Sequence, residues 1–206
     1  AYGEHGAIVH YSADEKSNVP LKEGKLFMTD TGGHYLEGST DITRTVALGE
    51  VGNIEKEHFT LVARAMLRLA NTVFLYGCSG ANLDCIAREV FWKEGLNFNH
   101  GTGHGVGYLL NIHEGPINFR WKEGERPAPA LEENMVITDE PGIYIEGSHG
   151  IRLENELLVR KTVKNEYGQF MNFEILTYVP IDLDAILPEK MSTEEKEMLN
   201  HYHLSL

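Results

Sequence analysis

The chain has 206 residues and a mass of 23.2 kDa, enough for one domain with a sizeable core. Acidic residues outnumber basic ones 31 to 18, a formal net charge of −13, which argues against nucleic acid or an anionic membrane surface as the main partner. No apolar run approaches the roughly 20 residues of a spanning helix, and no secretory signal is visible.

Residues 6–11, GAIVHY, read as a short β-like run ending near His10, and the polar residues 14–24 read as a loop. KLFMTD (25–30) is a second strand, TGG and residues 35–38 make a turn, and residues 42–48 form a third strand. Strand, glycine turn and strand suggest a hairpin. Over 54–76 the period changes: Phe59, Val62, Ala63, Met66, Leu69, Ala70 and Val73 recur at three and four, predicting an amphipathic helix. A second helix is predicted over 81–94, with Leu83, Ile86, Ala87, Val90 and Phe91 on its apolar face and Gly95 as its stop. Cys78 and Cys85 would lie two helical turns, about 10 Å, apart, too far for a disulfide. Both are expected to be reduced packing residues, as in a cytoplasmic protein.

Residues 99–114, NHGTGHGVGYLLNIHE, place His100, His104 and His113 among the glycines 101, 103, 105 and 107. Histidine is the commonest metal ligand, and glycine permits the close backbone approach that a crowded site needs. Residues 120–130 read as a charged loop. Strand-like sequence resumes with MVITDEPGIY from Met135, GIRLENELLVRK from Gly150 and residues 170–179. Ser192 and Glu195 form a capping box for a last helix ending near Leu204. Helices and strands come in blocks, so an α+β fold is predicted.

Four acids answer the histidines. Asp30 closes one strand and Asp41 opens the next, so a hairpin can bring both to one end of a sheet; Glu140 lies in the DEPG turn and Glu154 in GIRLEN. Each adjoins apolar sequence, where an unpaired carboxylate is costly. Four acids and one histidine converging would hold two divalent ions of the Mn²⁺, Co²⁺ or Zn²⁺ type. The rival account is ordinary ion pairing, Glu154 with Arg152 or Arg160 and Asp41 with Arg44. Spacing alone does not separate His104 from its neighbouring histidines.

The segments GAIVHY, TDTGGHYLEGSTDITRT, HGTGHGVG, NIHEGP, VITDEPGIY and GIRLENELLV, in that order, resemble the metallopeptidase family with the pita-bread fold. Within that family the chain is most similar to the catalytic domain of the large Xaa-Pro aminopeptidases (aminopeptidases P), whose tail FEILTYVPIDL and LNHYHLSL also resemble. The resemblance implies a single catalytic domain over 1–206, incomplete at its N-terminus, with 170–206 a C-terminal extension of the aminopeptidase P type. It implies a two-metal centre, Mn²⁺ first, with Zn²⁺ or Co²⁺ as alternatives, held by Asp30, Asp41, His104, Glu140 and Glu154. Asp41 and Glu154 would bridge the ions, Asp30 would hold one, and His104 with Glu140 the other. His10, His100 and His113 match the histidines around the substrate, with His100, His113 and Glu140 in catalysis, and Tyr144 and Arg152 match a hydrogen-bonded relay behind the metals. The implied activity is release of an N-terminal residue from peptides with proline second, by a hydroxide bridging two ions, in a cytoplasmic enzyme that is a homodimer at full length. Prolidase, cutting Xaa-Pro dipeptides, and a non-catalytic peptide- or protein-binding module are the alternatives.

Overall fold

The computed structural model describes every residue except Leu110, Glu123, Glu125 and Arg126. Within the expected 120–130 loop, the last three of these lie outside the described residues. Among the described residues, three α-helices and ten strands follow the expected order by blocks. An antiparallel ribbon, β1 (Lys25–His34) and β2 (Ser39–Leu48), is followed by α1 (Asn53–Ala70), β3 (Phe74–Leu75) and α2 (Gly80–Lys93). Then come β4 (Gly103–Val106), β5 (His113–Phe119), β6 (Val136–Asp139), β7 (Gly142–Ile145), β8 (His149–Arg152), β9 (Asn155–Asn165) and β10 (Gly168–Ile175), with α3 (Thr193–Leu204) last. Six strands form one antiparallel sheet in the order β3-β10-β9-β6-β4-β5, and β7 pairs with β8 in a second ribbon.

α1 exists because its apolar residues repeat at helical spacing: Phe59, Val62, Ala63, Met66 and Leu69 are all fully buried in the core between the helices and the sheet. It ends at Ala70, six residues before the expected stop at 76. The Asn71 side chain and backbone N–H both donate to the Leu67 carbonyl, and Phe74 then pairs with Met171 as a sheet edge. Long-range strand pairing overrides the continued apolar period there. α2 matches its expected span, with Ser79 N–H donating to the Asn82 side chain at its start (2.8 Å) and Gly95, at φ +70°, beyond its end. Cys78 precedes this helix instead of sharing it, and both cysteines are free thiols. The reciprocal Ser192–Glu195 cap forms as expected, at 2.8 and 3.1 Å.

Three further departures bear on the site. GAIVHY is no strand: Gly3–Ala7 is a 3-10 turn, and Gly6 meets Gly150 so closely that a Cβ on Gly150 would overlap the Gly6 carbonyl. That contact of two glycines carries His10 toward the ribbons. GIRLENELLVRK is two strands in different sheets, because Glu154 N–H donates to the Thr43 carbonyl (3.0 Å) and breaks the run between β8 and β9. The histidine stretch contributes β4 and the start of β5, strands that its glycine content conceals.

Phe59→Ala is expected to cost about 3–5 kcal/mol of unfolding free energy in urea titrations. Val163→Ala, on an exposed stretch of β9, should stay within about 0.5 kcal/mol.

Candidate metal centre

In the β1–β2 ribbon Asp30 stands opposite Thr43. The two-residue period of a strand then puts Asp41 on the same face, diagonal to Asp30. Asp41 is largely buried, and its backbone N–H donates to Glu156 Oε1 (2.8 Å). Burial, then the charge of Asp30, pushes its pKa up to about 6.

His104 enters from β4, flanked by Gly103 and Gly105. A Cβ at Gly103 would overlap the Thr138 carbonyl oxygen and one at Gly105 that of Glu114, so only glycine lets β4 nest between β6 and β5. His104 Nδ1 lies 2.9 Å from the Gly105 carbonyl. A carbonyl only accepts, so Nδ1 carries the proton and Nε2 presents a lone pair. That nitrogen faces Glu140 Oε1 at 3.3 Å and Asp41 Oδ2 at 3.6 Å. Burial lowers the His104 pKa and keeps the ring neutral.

Glu140 follows β6, its N–H donating to the Thr102 carbonyl (2.7 Å) and its Oε1 accepting from Thr138 Oγ1 (3.2 Å). Burial pushes its pKa up to about 7 against the opposing pull of Arg152. Glu154 accepts from Thr43 Oγ1 at Oε2 (2.7 Å), while Oε1 is buried with no hydrogen-bond partner among the described residues. Burial, followed by the charges of Glu140 and Asp41, raises its pKa well above the carboxylate range. Asp41, His104 and Glu154 offer ligand atoms within 4.8 Å of one another.

The rival ion pairs do not form. Arg160 pairs with Glu174 (3.1 Å), and Arg44 donates to carbonyls, Asn155 and Tyr202. Arg152 instead donates to Asp30 Oδ2 (2.6 Å), Tyr144 Oη (3.1 Å) and Thr43 Oγ1 (3.1 Å). Burial opposes its charge, yet Tyr144, Asp30 and Glu140 hold its pKa above the ordinary value. Asp30 is thus the most solvent-exposed of the four acids and the histidine, with half its side chain accessible and its carboxylate engaged by Arg152.

All five candidate ligands line one cavity of about 290 Å³, together with His10, His100, His113, Tyr144 and Arg152. The His113 ring lies 4.0 Å from that of His104. His100 donates from Nδ1 to the Gly101 carbonyl (2.7 Å), and burial lowers its pKa to about 4, so it is neutral with an acceptor Nε2.

Sequence reasoning missed the residues that hold this arrangement. Asp84 and Arg88 form a fully buried pair on α2 (2.5 Å). Arg88 also donates to the carbonyls of Phe98 (2.7 Å) and His100 (2.6 Å), while Asp84 accepts from Thr102 Oγ1 and Trp121 N–H. The i,i+4 spacing of Asp84 and Arg88 was visible, but a solvated pair looks the same in sequence. Asp139 is fully buried beside Glu140, and burial raises its pKa well above the usual range.

The donor set suits divalent cations: a neutral imidazole nitrogen, several carboxylates kept close despite repulsion, and a buried carboxylate oxygen with no partner among the described residues. Residues 1–161 match the model of metallopeptidase family M24, and residues 169–205 match the C-terminal region of that peptidase. The chain belongs to metallopeptidase family M24. A probable Xaa-Pro aminopeptidase P of Aspergillus flavus is 40% identical over 204 residues, covering 98% of this chain and 31% of that protein. Aminopeptidase P1 of Arabidopsis thaliana is 40% identical over 98% of this chain and 32% of its own. The chain spans about a third of the length of these curated relatives. A solved X-prolyl aminopeptidase of Caenorhabditis elegans, described as a cytosolic enzyme with a di-nuclear active site, aligns with a TM-score of 0.92 and 39% identity, over 100% of this chain and 33% of its own. The prolidase of Pyrococcus furiosus aligns with a TM-score of 0.66 and 36% identity, over 77% of this chain and 44% of its own. The fold is the α+β pita-bread fold of the family, and the resemblance to aminopeptidase P holds over nearly the whole chain.

The raised carboxyl pKa values set a pH dependence. Asp41 and Glu140 bind protons more tightly in the folded, metal-free protein than in the unfolded chain. Their contribution to stability is present below their ordinary values, near pH 4, and is lost as pH rises through 6 to 7. Between about pH 5 and pH 8 in chelator, Glu140→Gln is expected to lose about 2 kcal/mol less stability than wild type. Urea midpoints at the two pH values measure this. Cation uptake must displace the same protons, so calorimetric titrations in two buffers of different ionisation enthalpy should differ near pH 6.5.

Proposed function

We propose that this chain is the metal-binding part of an Xaa-Pro aminopeptidase, a metal-dependent exopeptidase that releases the first residue of peptides with proline second. The observation that carries this reading is the convergence of Asp41, His104 and Glu154 within 4.8 Å, in a cavity that Glu140 and three further histidines also line. The 206 residues then form one catalytic domain, with 170–206 as its C-terminal extension. Asp30, Asp41, His104, Glu140 and Glu154 would hold two divalent ions, with Mn²⁺ the first candidate. Two ions there would supply Lewis acidity toward the scissile carbonyl and lower the pKa of an attacking water.

The chain's own groups do the rest. Glu140, beside His104 in the cavity, can take a proton and return it to the leaving proline nitrogen. Arg152, ordered by Tyr144 and Asp30, keeps positive charge behind the acids. His113 is placed beside His104 to donate to a developing oxyanion. His100, neutral and with Nε2 free to accept among the described residues, can take a hydrogen bond from the substrate, and His10 also lines the cavity. The higher TM-score of the Caenorhabditis aminopeptidase over the Pyrococcus prolidase favours the aminopeptidase over the dipeptidase. A cytoplasmic setting follows the same relative, and a homodimer of the full-length protein belongs to the same proposal.

The test is metal content of the purified chain together with cleavage of an Xaa-Pro-Xaa tripeptide in Mn²⁺. Two ions per chain and release of the free first residue are expected, with His113→Ala about 10²–10³ slower. A folded chain that takes up no metal would refute the ligand assignment.

A further inference from the structure

Arg44 lies on β2, two residues beyond Ile42 and buried at 5% exposure, and no carboxylate pairs with it among the described residues. Burial lowers its pKa, and a buried guanidinium is costly unless every donor is used. Here all of its nitrogens are engaged. Nη1 donates to the carbonyls of Thr43 (2.8 Å) and Glu154 (2.5 Å). Nη2 donates to Asn155 Oδ1 (2.7 Å) and to Tyr202 Oη (2.6 Å), while Nε and Nη2 share the Val179 carbonyl (3.0 and 2.8 Å). Tyr202, on α3 and 2% exposed, in turn donates to the Val179 carbonyl (2.7 Å) and accepts its N–H (3.1 Å).

The two carbonyls on Nη1 belong to the residues that aim one carboxylate. Glu154 N–H donates to the Thr43 carbonyl (3.0 Å), and Thr43 Oγ1 donates to Glu154 Oε2 (2.7 Å). Arg44 therefore ties the backbone on both sides of Glu154, and Tyr202 holds Arg44 from a helix 158 residues further along the chain. α3 has a separate attachment, Arg64 to Glu195 (2.9 Å), that does not touch this cluster.

We propose that Arg44 and Tyr202 form a clamp through which the C-terminal helix positions Glu154 for cation binding. Both are positioning residues, and the inference rests on the metal-centre reading above. Outer residues that orient a ligand typically matter about 10–100-fold in metal affinity, which sets the expected scale.

The test is Mn²⁺ binding by calorimetry or competition in the purified protein, with urea stability of the metal-free form measured in parallel. Tyr202→Phe keeps the ring and removes the hydroxyl, and Arg44→Lys keeps the charge and removes the fork. Each is expected to weaken Mn²⁺ binding about tenfold or more. Glu195→Gln loosens α3 without touching the clamp, so it should lower stability and leave Mn²⁺ affinity within about twofold. Tyr202→Phe and Arg44→Lys that bind like wild type overturn the clamp, as does a Glu195→Gln that weakens binding as much as they do. If Arg44→Lys does not fold, Tyr202→Phe decides alone. A folded wild type that binds no Mn²⁺ fails the metal-centre reading first, and the clamp with it.

Discussion

Asp41, Glu140 and Glu154 are held around one imidazole nitrogen where little water reaches them, and the rest of the structure answers their mutual repulsion. Left to themselves, buried like charges separate or take up protons, and the raised pKa values of all three show the second response. Separation is prevented by backbone anchors. Asp41 N–H donates to Glu156, Glu140 N–H to the Thr102 carbonyl, and Glu154 N–H to the Thr43 carbonyl, so each acid is fixed at its Cα by a bond to another element. A bound cation would offset this repulsion and displace those protons.

Three buried arginines share the work in different ways. Arg152 supplies charge, bonding Asp30 and Tyr144 beside the acids. Arg88, neutralised by Asp84 within α2, spends its remaining donors on the carbonyls of Phe98 and His100 and so shapes the loop that leads to His104. Arg44 has no counter-ion among the described residues and serves carbonyls, Asn155 and Tyr202. The planar fork of arginine suits all three tasks, because it satisfies several acceptors at fixed angles where lysine would offer one compact charge.

Much of the molecule was legible in advance. The helical period over Phe59 to Ala70 and the capping box at Ser192 and Glu195 are local signals, and the structure contains each. The expected glycine turn is narrower, because Thr31, Gly32 and Gly33 continue β1 in pairing with β2 and only residues 35–38 lie between the strands. What misled were segments whose partners are distant. GAIVHY looks like a strand yet turns, because Gly6 must pass against Gly150. The apolar period past Ala70 looks like more helix, yet Phe74 joins β10. The histidine stretch has too much glycine to look like sheet, yet that glycine is what lets β4 slide between its neighbours.

The sequence by itself determined the residue types, the order of the motifs that resemble the family's, and the main helices and their caps, since hydrophobic period and capping act within a few residues. Only the tertiary structure decided which histidine turns its lone pair toward the acids and which arginine meets which carboxylate. Those outcomes depend on burial and on hydrogen bonds between residues about 110 positions apart, such as Thr43 and Glu154. A carboxylate written beside an arginine in sequence has no preference for it until the fold removes the water between them.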